Sequence, residues 1–253
     1  MDLVGIDIGG TGIKGAPVEV GRGTLTGDRV RIPTPQPATP AAVASVVAEV
    51  VAKFDTGGIV GATFPAVIQG GKARTAANVD HAWIGEDVAA RLGEACARPF
   101  VVLNDADAAG LAEVRFGAGA GRAGVVMVIT LGTGIGSALF IDGTLVPNTE
   151  LGHLQFKKGD AEQYAADAVR EGKDMSWKKW GKRVGAYLAH VEKLFSPDLF
   201  IIGGGVSKKS DRFFDYIETT AEVVAAKLLN EAGIVGAALA AAGTQVPSTV
   251  KVN

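Results

Sequence analysis

A single cysteine, Cys96, among 253 residues excludes an internal disulfide and leaves no cysteine cluster to hold zinc. That usage fits a reducing cytosol. An excess of charge of one sign is also missing. The chain carries 25 Lys and Arg against 27 Asp and Glu, a net of -2, so nothing global calls for a nucleic-acid or membrane partner. No run approaches the roughly 20 apolar residues of a membrane span. No basic segment precedes an apolar stretch near Leu3, so no signal peptide is expected and the expected location is cytoplasmic. With 47% apolar and 21% charged residues, disorder is excluded as the general state.

What is present is an alternation of strand-length and helix-length apolar patterns. Leu3–Ile8, Ile59–Phe64, Phe100–Leu103, Val125–Leu131 and Leu199–Ile202 read as buried strands. Val43, Val46, Val47, Val50, Val51 and Phe54 form a helical stripe. Further helices are expected over Glu86–Ala97, after Asp105, over Ser176–Phe195, over Arg212–Leu229 and over Ile234–Ala242. The prolines at 33, 35, 37 and 40 predict an extended connection. Strands alternating with helices define an α/β class.

The chain repeats itself. Ile6-Asp7-Ile8-Gly9-Gly10-Thr11-Gly12-Ile13 and Val128-Ile129-Thr130-Leu131-Gly132-Thr133-Gly134-Ile135 both run from a buried strand into Gly-Thr-Gly-Ile, 122 residues apart. Apolar residues resume after each glycine cluster, which predicts two hairpins and two related domains on either side of a cleft. Gly10 to Gly15 satisfies G-x-G-x-x-G. A dinucleotide fingerprint requires a helix next, however, and Pro17, Val18 and Val20 favour strand. Lys14 lacks the Walker spacing as well. Glycine-rich hairpins let backbone N–H groups approach a polyanion. Thr11 and Thr133 add hydroxyls and Lys14 a charge. The bland alternative is that the glycines only permit tight turns.

Asp7 to Gly15 resembles the first phosphate motif of the ROK family of sugar kinases, within the actin-like ATPase superfamily. Leu131 to Gly136 resembles its second phosphate motif, and Asn104 to Ala109 its catalytic segment. Glu150-Leu151-Gly152-His153 is similar to its sugar-binding segment, and Ile201 to Ser207 to its nucleotide-side motif. The five stand in the family's order between residue 3 and about residue 242.

The resemblance implies an actin-like ATPase (ribonuclease H-like) fold. The small domain would span 1–107 and the larger one 108–253, with the helix near 234–242 returning to the first. It implies transfer of a phosphoryl group to the 6-hydroxyl of a hexose, with Asp105 as general base. Asn78, Asn104, Glu150, His153 and Glu162 would hold the other hydroxyls. Gly9, Gly10, Thr11, Gly12, Lys14, Thr133, Gly134, Gly204 and Gly205 would line the phosphates, with Asp7 near Mg²⁺ through water. Taken alone, Asn104-Asp105 reads as a helix N-cap, and His153 as a packed histidine.

One departure narrows the resemblance. Most members follow the Glu-x-Gly-His segment with cysteines that bind zinc, whereas Leu154 to Tyr164 contains none, so no zinc is expected. This lack, with Lys-rich sequence around it and Ser196-Pro197-Asp198-Leu199-Phe200, resembles the branch that uses inorganic polyphosphate, with or without ATP, on glucose and in some members mannose. Lys157-Lys158, Lys178-Lys179, Lys182-Arg183, Lys208-Lys209 and Arg212 could carry a long polyanion, or be ordinary surface charge. Other readings are a kinase of hexose or N-acetylhexosamine restricted to ATP and a non-catalytic sugar-binding module. The related repressors carry a helix-turn-helix that is not expected here. Homodimer and monomer stay open.

Overall fold

The computed structural model describes residues 1–77 and 79–243. Two compact units make it up: Met1–Ala112 together with the chain from Glu231 on, and Glu113–Asn230.

In the first unit, β1 (Asp2–Ile8) pairs antiparallel with β2 (Ile13–Glu19). The short strands β3 (Thr24–Leu25) and β4 (Val30–Ile32) both add to β2. Proline-rich chain then leads to α1 (Pro40–Val51), capped by Thr39 and opened by a proline whose missing N–H costs nothing there. Its Val43, Val47 and Val50 are buried, as the stripe predicts. β5 (Val60–Phe64) runs parallel to β1 and is buried along its whole length. A small hairpin, β6 (Ile68–Gln69) with β7 (Lys72–Ala73), precedes α2 (Val88–Cys96). β8 (Phe100–Asn104) pairs parallel with β5 and passes directly into α3 (Asp105–Phe116). The sheet order is β3-β2-β1-β5-β8. Burial pushes the lone Cys96 thiol up to about 11, which leaves it unreactive near neutral pH.

The second unit repeats this plan. β9 (Val125–Leu131) and β10 (Ile135–Ile141) form the hairpin, extended by β11 (Thr144–Val146). The hairpin of β12 (Gln155–Phe156) and β13 (Gly159–Asp160) leads to α4 (Glu162–Ala165) and α5 (Asp167–Gly172). The long α6 (Trp177–Phe195), capped by Ser176, buries Trp180, Val184, Tyr187, Leu188 and Val191 against the sheet. β14 (Leu199–Gly203) and β15 (Glu222–Ala225) complete the order β11-β10-β9-β14-β15.

The helix expected over Arg212–Leu229 does not form. Residues 205–212 and 214–216 make 3₁₀ turns, and Glu222–Ala225 is a strand. Its apolar spacing suits a helix, but the backbone pairs with the open edge of β14, Leu199 to Ile202 facing Glu222 to Ala225. Sheet pairing of the β-branched Val223 and Val224 overrides the periodicity.

The last helix among the described residues, α7 (Ala232–Ala241), packs on the first unit's sheet. A Cβ at Gly5 would lie 2.0 Å from the Ile234 carbonyl oxygen, and one at Gly61 1.8 Å from that of Ala237. These glycines let helix and sheet backbones touch. No helix among the described residues is long and apolar enough to cross a membrane.

Candidate active site

The first glycine turn closes β1 onto β2 with a hydrogen bond from Gly9 N to Gly12 O of 3.1 Å. The second closes β9 onto β10 with the matching bond from Gly132 N to Gly134 O, 3.0 Å. The expectation of two hairpins is met. Gly9, Gly12, Gly132 and Gly134 all avoid positive φ, so backbone handedness is not why they are glycines. At two of them a flexible neighbouring side chain lies where a Cβ would project and would have to shift. A Cβ at Gly12 would sit 2.7 Å from Arg31 Nε, and one at Gly134 2.5 Å from Glu162 Oε2. Thr11 and Thr133 are exposed at the tips.

At the root of the first turn stands a polar row. Thr63, Asp7, Lys14 and Arg31 face one another in register across β5, β1, β2 and β4. The Thr63 hydroxyl donates to Asp7 Oδ1 at 3.1 Å, and Lys14 Nζ to Oδ2 at 3.0 Å. Gly233, in the first turn of α7, packs against the same carboxylate. Arg31, which sequence reasoning missed, donates from Nη2 to the Thr11 carbonyl at 3.1 Å. Its signal was faint: one arginine in a three-residue strand.

Asp105 opens α3 at the carboxyl end of β8, where open α/β sheets place reacting groups, and it is exposed. Its Oδ1 accepts from Ala106 N at 2.9 Å. Asn104 is buried and caps the helix. Its Oδ1 accepts from Ala106 N and Asp107 N at 2.8 and 3.2 Å, and its amide donates to Ala66 O at 3.2 Å. The capping reading therefore holds for Asn104, whose place in the cap fixes the backbone that presents Asp105. Asn78 lies outside the described residues.

The second unit brings Glu150, His153 and Glu162 together. Leu151–His153 forms a 3₁₀ turn in which a Cβ at Gly152 would be 2.2 Å from Ile135 O, so the glycine seats this turn against the start of β10. Glu162 Oε2 accepts from Ile135 N at 3.3 Å, and its Oε1 lies 4.0 Å from His153 Nδ1. Asp160, a further residue missed in the sequence, holds His153 Nδ1 at 3.0 Å. The Asp160 contact chiefly raises the His153 pKa, against burial and with help from the Glu162 and Glu150 charges. Burial pushes the Glu150 carboxyl upward, with His153 opposing and Glu162 reinforcing.

Gly204 adopts φ +83° and packs on Leu131, the residue before the second turn, where a Cβ would be 2.3 Å from its carbonyl oxygen. Gly205 follows it into the 3₁₀ turn of residues 205–212. Of the basic residues singled out, Lys209 and Arg212 each lie 5.7 Å from the Trp177 ring, and Lys178 lies 5.9 Å from Tyr216. Among the described residues no group of three His, Cys, Asp or Glu is arranged to hold a metal ion.

Twin α/β units, each entered through a glycine hairpin, with an exposed carboxylate at one sheet's carboxyl edge, define a phosphate-handling protein of the actin-like ATPase fold. The chain belongs to the ROK family, whose model matches residues 3–173. It is 51% identical over 237 residues to a polyphosphate glucokinase of Mycobacterium tuberculosis, covering 93% of this chain and 89% of that protein. Its structure resembles the inorganic polyphosphate/ATP-glucomannokinase of Arthrobacter sp. strain KM, with TM-score 0.91, 53% identity and coverage of 95% and 98%. It also resembles a ROK family glucokinase from Streptomyces griseus in complex with glucose and AMPPNP, with TM-score 0.82, 26% identity and coverage of 96% and 100%.

Proposed function

We propose that the protein transfers a phosphoryl group from inorganic polyphosphate or ATP to the 6-hydroxyl of glucose. The carrying observation is the 51% identity, over 93% of the chain, to a polyphosphate glucokinase. It is joined by an exposed Asp105 at the carboxyl edge of the first unit's sheet.

In this reading the glucose O6 attacks the terminal phosphorus, and the bridging P–O bond breaks. The donor leaves one phosphate shorter, and the Asp105 carboxylate takes the O6 proton. Phosphoryl transfer asks a protein mainly for positioning and charge stabilisation. The two turns supply backbone N–H groups, Lys14 a charge, and Thr11 and Thr133 hydroxyls. Glu150, His153 and Glu162 hold sugar hydroxyls, with Asp160 keeping the His153 ring oriented. Mannose differs from glucose at one hydroxyl and is proposed as a second acceptor.

Asp7 suits Mg²⁺ held through water. Each of its oxygens accepts one protein hydrogen bond, from Thr63 and from Lys14, which leaves a second lone pair on each for a metal-bound water. When bound, the cation neutralises phosphate charge.

The test is to incubate the protein with glucose and Mg²⁺, supply ATP or polyphosphate, and read the ³¹P spectrum. A new phosphomonoester on carbon 6 with both donors is expected. No sugar phosphate with either donor would overturn the reading.

A further inference from the structure

The polar row of the first unit carries more charge than the proposed metal and turn roles use. Asp7 and Lys14 are paired at 3.0 Å and offset each other. The next residue along the row, Arg31, has no carboxylate within 4 Å among the described residues and is exposed. Of the five N–H groups of its guanidinium, one is committed to protein, the Nη2 bond to Thr11 O. That bond holds the cation flush against the glycine turn. The guanidinium atoms Nε, Nη2 and Cζ would lie 2.7, 2.8 and 2.9 Å from a Cβ at Gly12. Any side chain there would displace the arginine. The turn therefore has an uncompensated, positioned planar cation on one flank.

We infer that Arg31 is a phosphate-binding residue of the donor site, one that grips phosphoryl oxygens of the polyphosphate or ATP chain entering the first turn. The inference rests on the functional reading above. A guanidinium matches two phosphate oxygens at once and stays charged at any working pH. Lys14, with one N–H already on Asp7, adds a point charge but not the planar two-point grip of a guanidinium.

The experiment compares wild type with Arg31→Gln and Arg31→Lys. Binding of inorganic tripolyphosphate is measured calorimetrically without sugar, alongside donor KM, glucose KM and the unfolding midpoint. Arg31→Gln is expected to weaken tripolyphosphate binding and raise donor KM by about tenfold or more, the scale of a charged hydrogen bond. Glucose KM and the midpoint should stay near wild type. Arg31→Lys restores charge without the fork and should recover part of the loss. Equal tripolyphosphate affinity in wild type and Arg31→Gln would overturn the inference. So would losses that track a lowered midpoint and a raised glucose KM, since they would mark the arginine as a turn-locking group. Absence of any sugar phosphate from wild type would sink the functional reading alone, because tripolyphosphate binding is read without turnover.

Discussion

The two glycine hairpins share a topology and differ in chemistry. Matching the sheets by register sets Asp7 against Thr130, Lys14 against Gly136 and Thr63 against Gly203. The row that is acidic and basic in the first unit is neutral in the second. The same matching sets Asn104-Asp105 against Lys227-Leu228. In the first unit this position opens a helix with an exposed carboxylate. In the second, the backbone N–H groups of Lys227 and Leu228 donate to the buried Glu113 carboxylate at 3.1 and 2.6 Å, and neither matched residue is itself acidic. The repeat thus has a glycine hairpin in both units and, at the matched hairpin positions, charged side chains in the first alone. The second unit kept its own polar cluster, Glu150, His153, Asp160 and Glu162, outside the repeated positions.

The largest effect should come from the position where the units differ most. Asp105→Asn keeps the helix start and removes the proposed base, so turnover should fall by roughly 10²–10⁴ with glucose binding retained. Turnover near wild type would remove the asymmetry drawn above. A second contrast concerns how each sheet is covered. Gly5 and Gly61 meet α7, whereas their counterparts are the buried Val128 and Ile201. Gly61→Ala forces a methyl into the Ala237 carbonyl and should cost about 1–3 kcal/mol in a urea unfolding measurement. An unchanged midpoint would mean that α7 does not sit on that strand. The smallest effect is electrostatic. Asp160→Asn should lower the His153 titration midpoint in an NMR pH series, since the Asp160 contact is the main cause of the upward shift. The sign follows from linkage: the stabilisation from this contact is fully present below the ordinary histidine pKa and is lost as pH rises through the higher folded value. A midpoint that does not move would show that the Glu162 and Glu150 charges dominate.

Much of this was legible in residue order because it was local. A buried strand running into Gly-Thr-Gly-Ile, and Phe100 to Leu103 running into Asn104-Asp105, are patterns that short-range rules read directly. The Glu150-Leu151-Gly152-His153 corner was found only through family resemblance, since nothing local says that Gly152 must pack on Ile135. Features that depend on pairing across distance stayed hidden. Arg31 joins the row because a three-residue strand happens to lie on β2. Asp160 joins the Glu150, His153 and Glu162 cluster through a two-stranded hairpin. The stretch around Val223 was misread as helix because an edge of β14, each paired residue 23 positions earlier in the chain, claimed it. Asn104 carried two meanings in the sequence, and its hydrogen bonds show it serving as the cap.

The most direct test of the central claim is stoichiometric: glucose 6-phosphate formed per phosphate residue lost from inorganic polyphosphate as the sole donor. Transfer to the sugar predicts a ratio of one, with little free orthophosphate and no donor loss when glucose is omitted. Orthophosphate release without matching sugar phosphate would contradict it, because the turns would then be delivering phosphate to water.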